Sequence, residues 1–157
     1  MRRLYASLLL LTACASHPKE PAGLHFERVW LTWHDADSFQ SFYEYRTGDE
    51  LVGKWTILRS EPYDRTGLYF EVRVINPAPA RDCKIVVRVI SPDSIDPRVF
   101  TFPVEVPAGS RLFVVGLTGT DWQMIRVVPV AWDVELQAPD GSVLAKKASF
   151  LWEKPSR

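Results

Sequence analysis

Residues 66–77 read TGLYFEVRVINP. Leu68, Phe70, Val72 and Val74 alternate with Tyr69, Glu71 and Arg73. A period of two is that of a β-strand with one face in a core and the other in water. The pattern repeats in DCKIVVRVISPDS (82–94), with Ile85, Val87 and Val89 inward and Lys84 and Arg88 outward. Between the two lies the turn cluster NPAPARD. RVFTFPVEVPAG (98–109) aligns Phe100, Phe102, Val104 and Val106, while Pro103 and Pro107 confine it to an edge or a sheet end. RLFVVGLTG (111–119) is almost continuously apolar and suits a central strand.

Working outward, residues 128–153 form a hairpin pattern. Trp132, Val134 and Leu136 alternate with Asp133, Glu135 and Gln137, Asp140-Gly141 supplies the tight turn, and Ala148, Phe150 and Trp152 return on one face. Upstream, LHFERVWLTWH (24–34) is a first strand by its aromatic and β-branched content. Asp37 followed by Gln40, with Phe39, Phe42 and Tyr43 at helical spacing, predicts one short helix over 38–46. A further strand is expected around Lys54–Arg59.

Short strands spaced by Pro/Gly turns, without a βαβ rhythm, predict an all-β fold. The expected form is an antiparallel immunoglobulin-like or fibronectin-like sandwich. It has about seven to eight strands and one short helix near the N-terminus, over residues 24–154. The later segments YFEVRVIN, TFPVEV, GLTGTDW and AWDVELQAPDG resemble those of bacterial lipoproteins of unassigned activity that carry one such domain. That resemblance assigns no activity and no site residues.

A chain of 157 residues suits one domain with a core that needs no staples. Nineteen basic residues balance nineteen acidic ones and no basic cluster stands out, so nothing points to nucleic acid.

The N-terminus, MRRLYASLLLLTACAS, has a basic start, about ten apolar residues and then small ones, the order of a secretory signal. The apolar part is short of the roughly 20 residues a spanning helix needs. Leu11-Thr12-Ala13-Cys14 resembles the lipobox of bacterial lipoprotein precursors. The resemblance implies diacylglycerol on the Cys14 sulfur, cleavage after residue 13, and acylation of the new amine. Ala15 after the cysteine implies the outer membrane, facing the periplasm, if the organism is Gram-negative. Two or three acyl chains on one residue exceed the two-signal threshold for stable anchoring. Removing thirteen residues leaves 144 of the 157, with 17 basic against 19 acidic side chains. Attachment is therefore through lipid, not through a basic patch. Ala15–Gly23, with two prolines, is a tether of about 25–30 Å at 3.1 Å per residue.

Candidate chemistry is sparse. His34, Asp35 and Asp37 lack the three or four converging ligands of a metal site, and Asp37 is better used as a helix cap. No metal or cofactor is expected. With Cys14 lipidated, Cys83 is the remaining thiol, either a partly buried structural one at a strand start or paired to another chain. No Gly-x-Ser-x-Gly elbow or phosphate-cradling glycine loop is present. Of the tryptophans, Trp132 and Trp152 alternate inward, whereas Trp122 in TGTDWQ is expected in a loop meeting solvent. Trp122, Asp121 and Trp33 form the candidate binding surface. The expected role is a non-catalytic module that binds an envelope protein partner. The alternative is a carbohydrate- or peptidoglycan-binding module using exposed aromatics.

Overall fold

A computed structural model describes residues 23–39 and 55–153 of the chain. It is mostly β, with eight strands among the described residues: β1 (His25–His34), β2 (Trp55–Arg59), β3 (Gly67–Asn76), β4 (Arg81–Ile90), β5 (Arg98–Val106), β6 (Gly109–Thr118), β7 (Ala131–Gln137) and β8 (Val143–Ala148). One sheet has the order β1-β3-β6-β2 and the other β5-β4-β7-β8. The alternation in 66–77 sets the core as expected. Leu68, Phe70, Val72 and Val74 join Ile85, Val87 and Val89, Phe102, Val104 and Val106, and Phe113, Val115 and Leu117 in one cluster drawn from both sheets. Each such side chain contributes roughly 1.5–3 kcal/mol by leaving water. β6 lies inside its sheet and β5 at an edge, the places their apolar run and prolines predicted.

One pairing departs from an all-antiparallel scheme: β2 runs parallel to β6, from Trp55↔Leu112 to Arg59↔Gly116. The connectivity explains it. β3 turns back after β2 and pairs antiparallel with β6, so β6 runs in the direction of β2.

The expected N-terminal helix meets a different structure where it is described. Ala36–Phe39 is a single 3-10 turn, with Ser38 N–H donating to the Asp35 carbonyl at 2.9 Å, so Asp37 sits inside the turn. Residues 40–46 of that expectation lie outside the described residues, as do the signal, Cys14 and the tether through residue 22. Among the described residues the one α-helix is at the other end of the chain, α1 (Phe150–Glu153). Accordingly Phe150 does not continue β8 on an inward face; it is exposed, because the strand stops at Ala148 and the chain coils at Ser149.

Two other corrections concern faces expected to be wet. Tyr69 is fully buried: it packs with Leu112 and Val114 beneath Trp30, Phe39 and Ile57, making a second apolar cluster on the outer face of the β1-β3-β6-β2 sheet. Its hydroxyl donates to the Arg65 carbonyl at 2.8 Å. Asp133 and Glu135 are also buried, on the outer face of the second sheet. Arg88 Nη1 lies 2.8 Å from Asp133 Oδ2 and Nη2 2.9 Å from Glu135 Oε2, while Lys146 Nζ reaches both acids at 3.0 Å. The register puts Arg88 opposite Asp133 and Lys146 opposite Glu135, so opposite charges fall face to face.

The register also sorts the molecule into two ends. At one, buried Asn76 donates to the carbonyls of Pro79, Val106 and Pro107 at 3.2 Å and accepts Ala78 N–H, tying two turns together. β1 begins at this end, since His25 pairs with Ile75. At the other, β1 and β2 finish, β3 starts, and β6 leads into the long 119–130 loop.

Candidate functional site

The long-loop end holds all three residues singled out from sequence, though not in the form expected. The turn after β2 is pinned to the end of β6. Glu61 N–H donates to Thr118 Oγ1 at 3.1 Å, and that hydroxyl donates to the Glu61 carbonyl at 3.0 Å. Ser60 Oγ accepts Thr118 N–H, and Gly119 N–H donates to the Thr66 carbonyl. Glu61 Oε1 then accepts from both Thr120 N–H, at 3.0 Å, and the Thr120 hydroxyl. Asp64 Oδ1 accepts Thr66 N–H at 3.0 Å.

This clasp requires Gly119. Its φ of 57° lies in the left-handed region, and a Cβ there would run into the Glu61 carboxylate and stand 3.1 Å from Asp64 Oδ2. A one-turn 3-10 segment, Gly119–Asp121, follows and sends the next side chain inward.

Trp122 is therefore not the solvent-facing aromatic that the loop position predicted. It is 2 % exposed, belongs to the core cluster, and donates its indole N–H to the Val127 carbonyl at 3.3 Å. Trp33 is half-buried against the same core, and its indole N–H donates to Asp35 Oδ1 at 3.1 Å. Asp121 holds Arg98 through both its carbonyl and Oδ1, at 2.6 and 2.9 Å.

Trp33 and Trp122 nonetheless line one cavity of about 380 Å³, with Glu61, Asp64, Thr66, Gly119, Thr120, Gln123 and Ile125. Asp121 instead lines a neighbouring cleft of about 430 Å³ between β2 and β5, with Leu58, Val99 and Phe100. Glu61, Asp64 and Thr120 were not singled out from sequence. The signals available were the acidic, proline-bearing turn SEPYD (60–64) and TGTD (118–121), but only the fold brings them together.

Exposed apolar side chains gather at this end as well. Of the large apolar residues exposed among those described, all but Trp55, Val99 and Val143 sit in its loops or in α1. Tyr63 is fully exposed, Ile95 and Phe150 nearly so, and Ile125, Val127, Val128 and Val130 follow one another along one loop.

His34 Nε2 lies 3.5 Å from Glu71 Oε1, and its ring meets Phe39 at a tilt and Tyr69 edge-on, a packing role. Among the described residues no group of three or more His, Cys, Asp or Glu converges as metal ligands, and no helix is long and apolar enough to cross a membrane. Cys83 is buried with its thiol free, and burial pushes its pKa up. No family model, curated protein or solved structure matches the chain.

Proposed function

We propose that this chain is a lipid-anchored envelope lipoprotein whose domain, an immunoglobulin-like β-sandwich, docks an envelope protein partner through its long-loop end. The topology supports the sandwich reading. With β2 set aside, β1, β3 and β6 stand where strands A, B and E of that fold stand, and β4, β7 and β8 where C, F and G do. β2 takes the edge beside β6, and β5 the edge beside β4. The anchor reading rests on the lipobox resemblance at Cys14, with the outer membrane, facing the periplasm, as the site in a Gram-negative organism.

One observation carries the docking reading: the exposed apolar loops lie at the end opposite the start of β1. A domain tethered through its N-terminus then presents them away from the anchor. Clustered exposed apolar side chains mark interaction surfaces. The role is binding rather than catalysis. The glycan alternative is weakened by Trp122, whose ring is inside the core and whose indole N–H is taken, leaving no pair of exposed indoles to stack a sugar.

Two measurements test this. Mass analysis of the mature protein should find acyl groups on Cys14, and a Cys14→Ala chain that matures unchanged would refute the anchor. A photo-crosslinking residue at Ile125 in intact cells should give a discrete adduct that the same residue at Asp140 does not. Equal labelling from both positions would refute docking through the loop end.

A further inference from the structure

We propose that the cavity bounded by Trp33, Glu61, Asp64 and Ile125 receives a basic side chain, lysine or arginine, of the partner. Apolar residues beside that cation then cover Tyr63, Ile125 and Val128. The inference rests on the docking reading above and specifies the chemistry the partner brings.

The cavity lining contains two carboxylates and no lysine or arginine. Each acid has one oxygen engaged locally, Glu61 Oε1 by Thr120 and Asp64 Oδ1 by Thr66 N–H. The other two oxygens, Glu61 Oε2 and Asp64 Oδ2, converge over the bare Cα of Gly119. Two like charges aimed at one space repel until a cation enters it. Each then gains a charge-assisted hydrogen bond, the strong kind.

Two described cations near the cavity are already engaged by other acids. Arg98 is held by Asp121, and Arg126 faces Asp35 at 3.8 Å on the rim. The remaining wall suits the stem of such a side chain. The half-buried Trp33 indole offers an aromatic surface to a cation, and Ile125 an apolar one to its methylenes.

Charge also selects the class of partner. Asp35, Asp93 and Asp96 ring the same end. An anionic bilayer would meet these acids with like charge, and so would the same end of a second copy. A protein segment mixing Lys or Arg with apolar residues meets both features at once.

The test uses the lipidated chain in neutral detergent micelles, with the indole N–H resonances of Trp33 and Trp122 as reporters. The probe is the peptide Ac-Ser-Leu-Lys-Val-Ser-amide, compared with its arginine, norleucine and glutamate counterparts. The lysine and arginine peptides should shift both resonances saturably. The norleucine peptide should bind at least tenfold more weakly, and the glutamate peptide not at all. Asp64→Asn, which keeps an oxygen for Thr66 N–H, should weaken lysine-peptide binding about tenfold while leaving the rest of the spectrum folded. Glu61→Gln should do the same.

Equal binding of lysine and norleucine peptides would overturn the inference. So would saturation by calcium ion, or by vesicles containing anionic lipid, with no response to the peptides. Silence from all peptides alongside a loop-end crosslink at Ile125 overturns this inference and leaves docking standing. Silence together with no crosslink overturns both.

Discussion

Replacing Arg88 with Met tests the account of how two acids come to be buried on a sheet face. The Asp133 side chain is 0 % exposed and that of Glu135 7 %, against 27 % for Arg88 and 48 % for Lys146. Removing one partner of a buried pair costs about 3–5 kcal/mol, because the other charge is left uncompensated. Lys146 keeps one contact to each acid, so the cost falls below that range, to about 2–3 kcal/mol. At about 3 °C per kcal/mol for a domain of this size, Tm should fall by roughly 8 °C.

The substitution also has a pH signature. The hydrogen bond from Arg88, above all, holds the Glu135 carboxyl at about 2 rather than the usual 4.5. A lowered folded-state pKa contributes stability that is fully present above 4.5 and is lost as pH falls from there toward 2. At about 1.4 kcal/mol per pH unit, that contribution is at most roughly 3 kcal/mol. Asp93 and Asp140 are lowered too, by Ser91 and Ser142, so the acid loss of the parent protein is a composite. The difference between parent and Arg88→Met isolates the acids that Arg88 holds, Glu135 and Asp133. Urea unfolding followed by tryptophan fluorescence at pH 7, 5, 4 and 3 should show the gap between the two narrowing as pH falls. Stabilities within 0.5 kcal/mol at pH 7, or a gap independent of pH, would refute the reasoning.

Three further outcomes follow from particular contacts. Gly119→Ala should destabilise by about 2 kcal/mol or more in chemical denaturation, since the left-handed φ and the Glu61 carboxylate both oppose a Cβ. Arg126→Gly should be neutral or stabilising by up to about 1 kcal/mol, because Arg126 adopts φ 58° while its ion pair with Asp35 is largely exposed. The Cys83 thiol should resist a disulfide-exchange reagent in the native protein and react at once in urea, which a time course of thiol release will read.

The period-two runs made most of the two-sheet core readable, because a strand with one buried face announces which residues point inward. What escaped was what one strand meets on another. Asp133 and Glu135 look like any outward acids until the register sets Arg88 and Lys146 against them. Tyr69 looks like an amphipathic outward residue until Trp30 and Phe39 cover it. The parallel edge pairing of β2 depends on chain direction across three strands, which no local pattern carries.

The same holds at the candidate site. Trp33, Asp121 and Trp122 do lie at one end. Their exposures were not readable, since a three-residue 3-10 turn decides that Trp122 points into the core. The Glu61 carboxylate that lines the cavity meets Thr120, 59 residues away in sequence.

Hydrogen exchange on the full chain bears most directly on the claim that the loop end is the docking surface. It compares the protein in its native membrane with the protein purified in detergent. The account predicts slower exchange in the membrane for residues 60–66 and 119–130, and no difference for 77–80 and 138–142. Unchanged exchange at the loop end, or protection confined to the opposite turns, would contradict it.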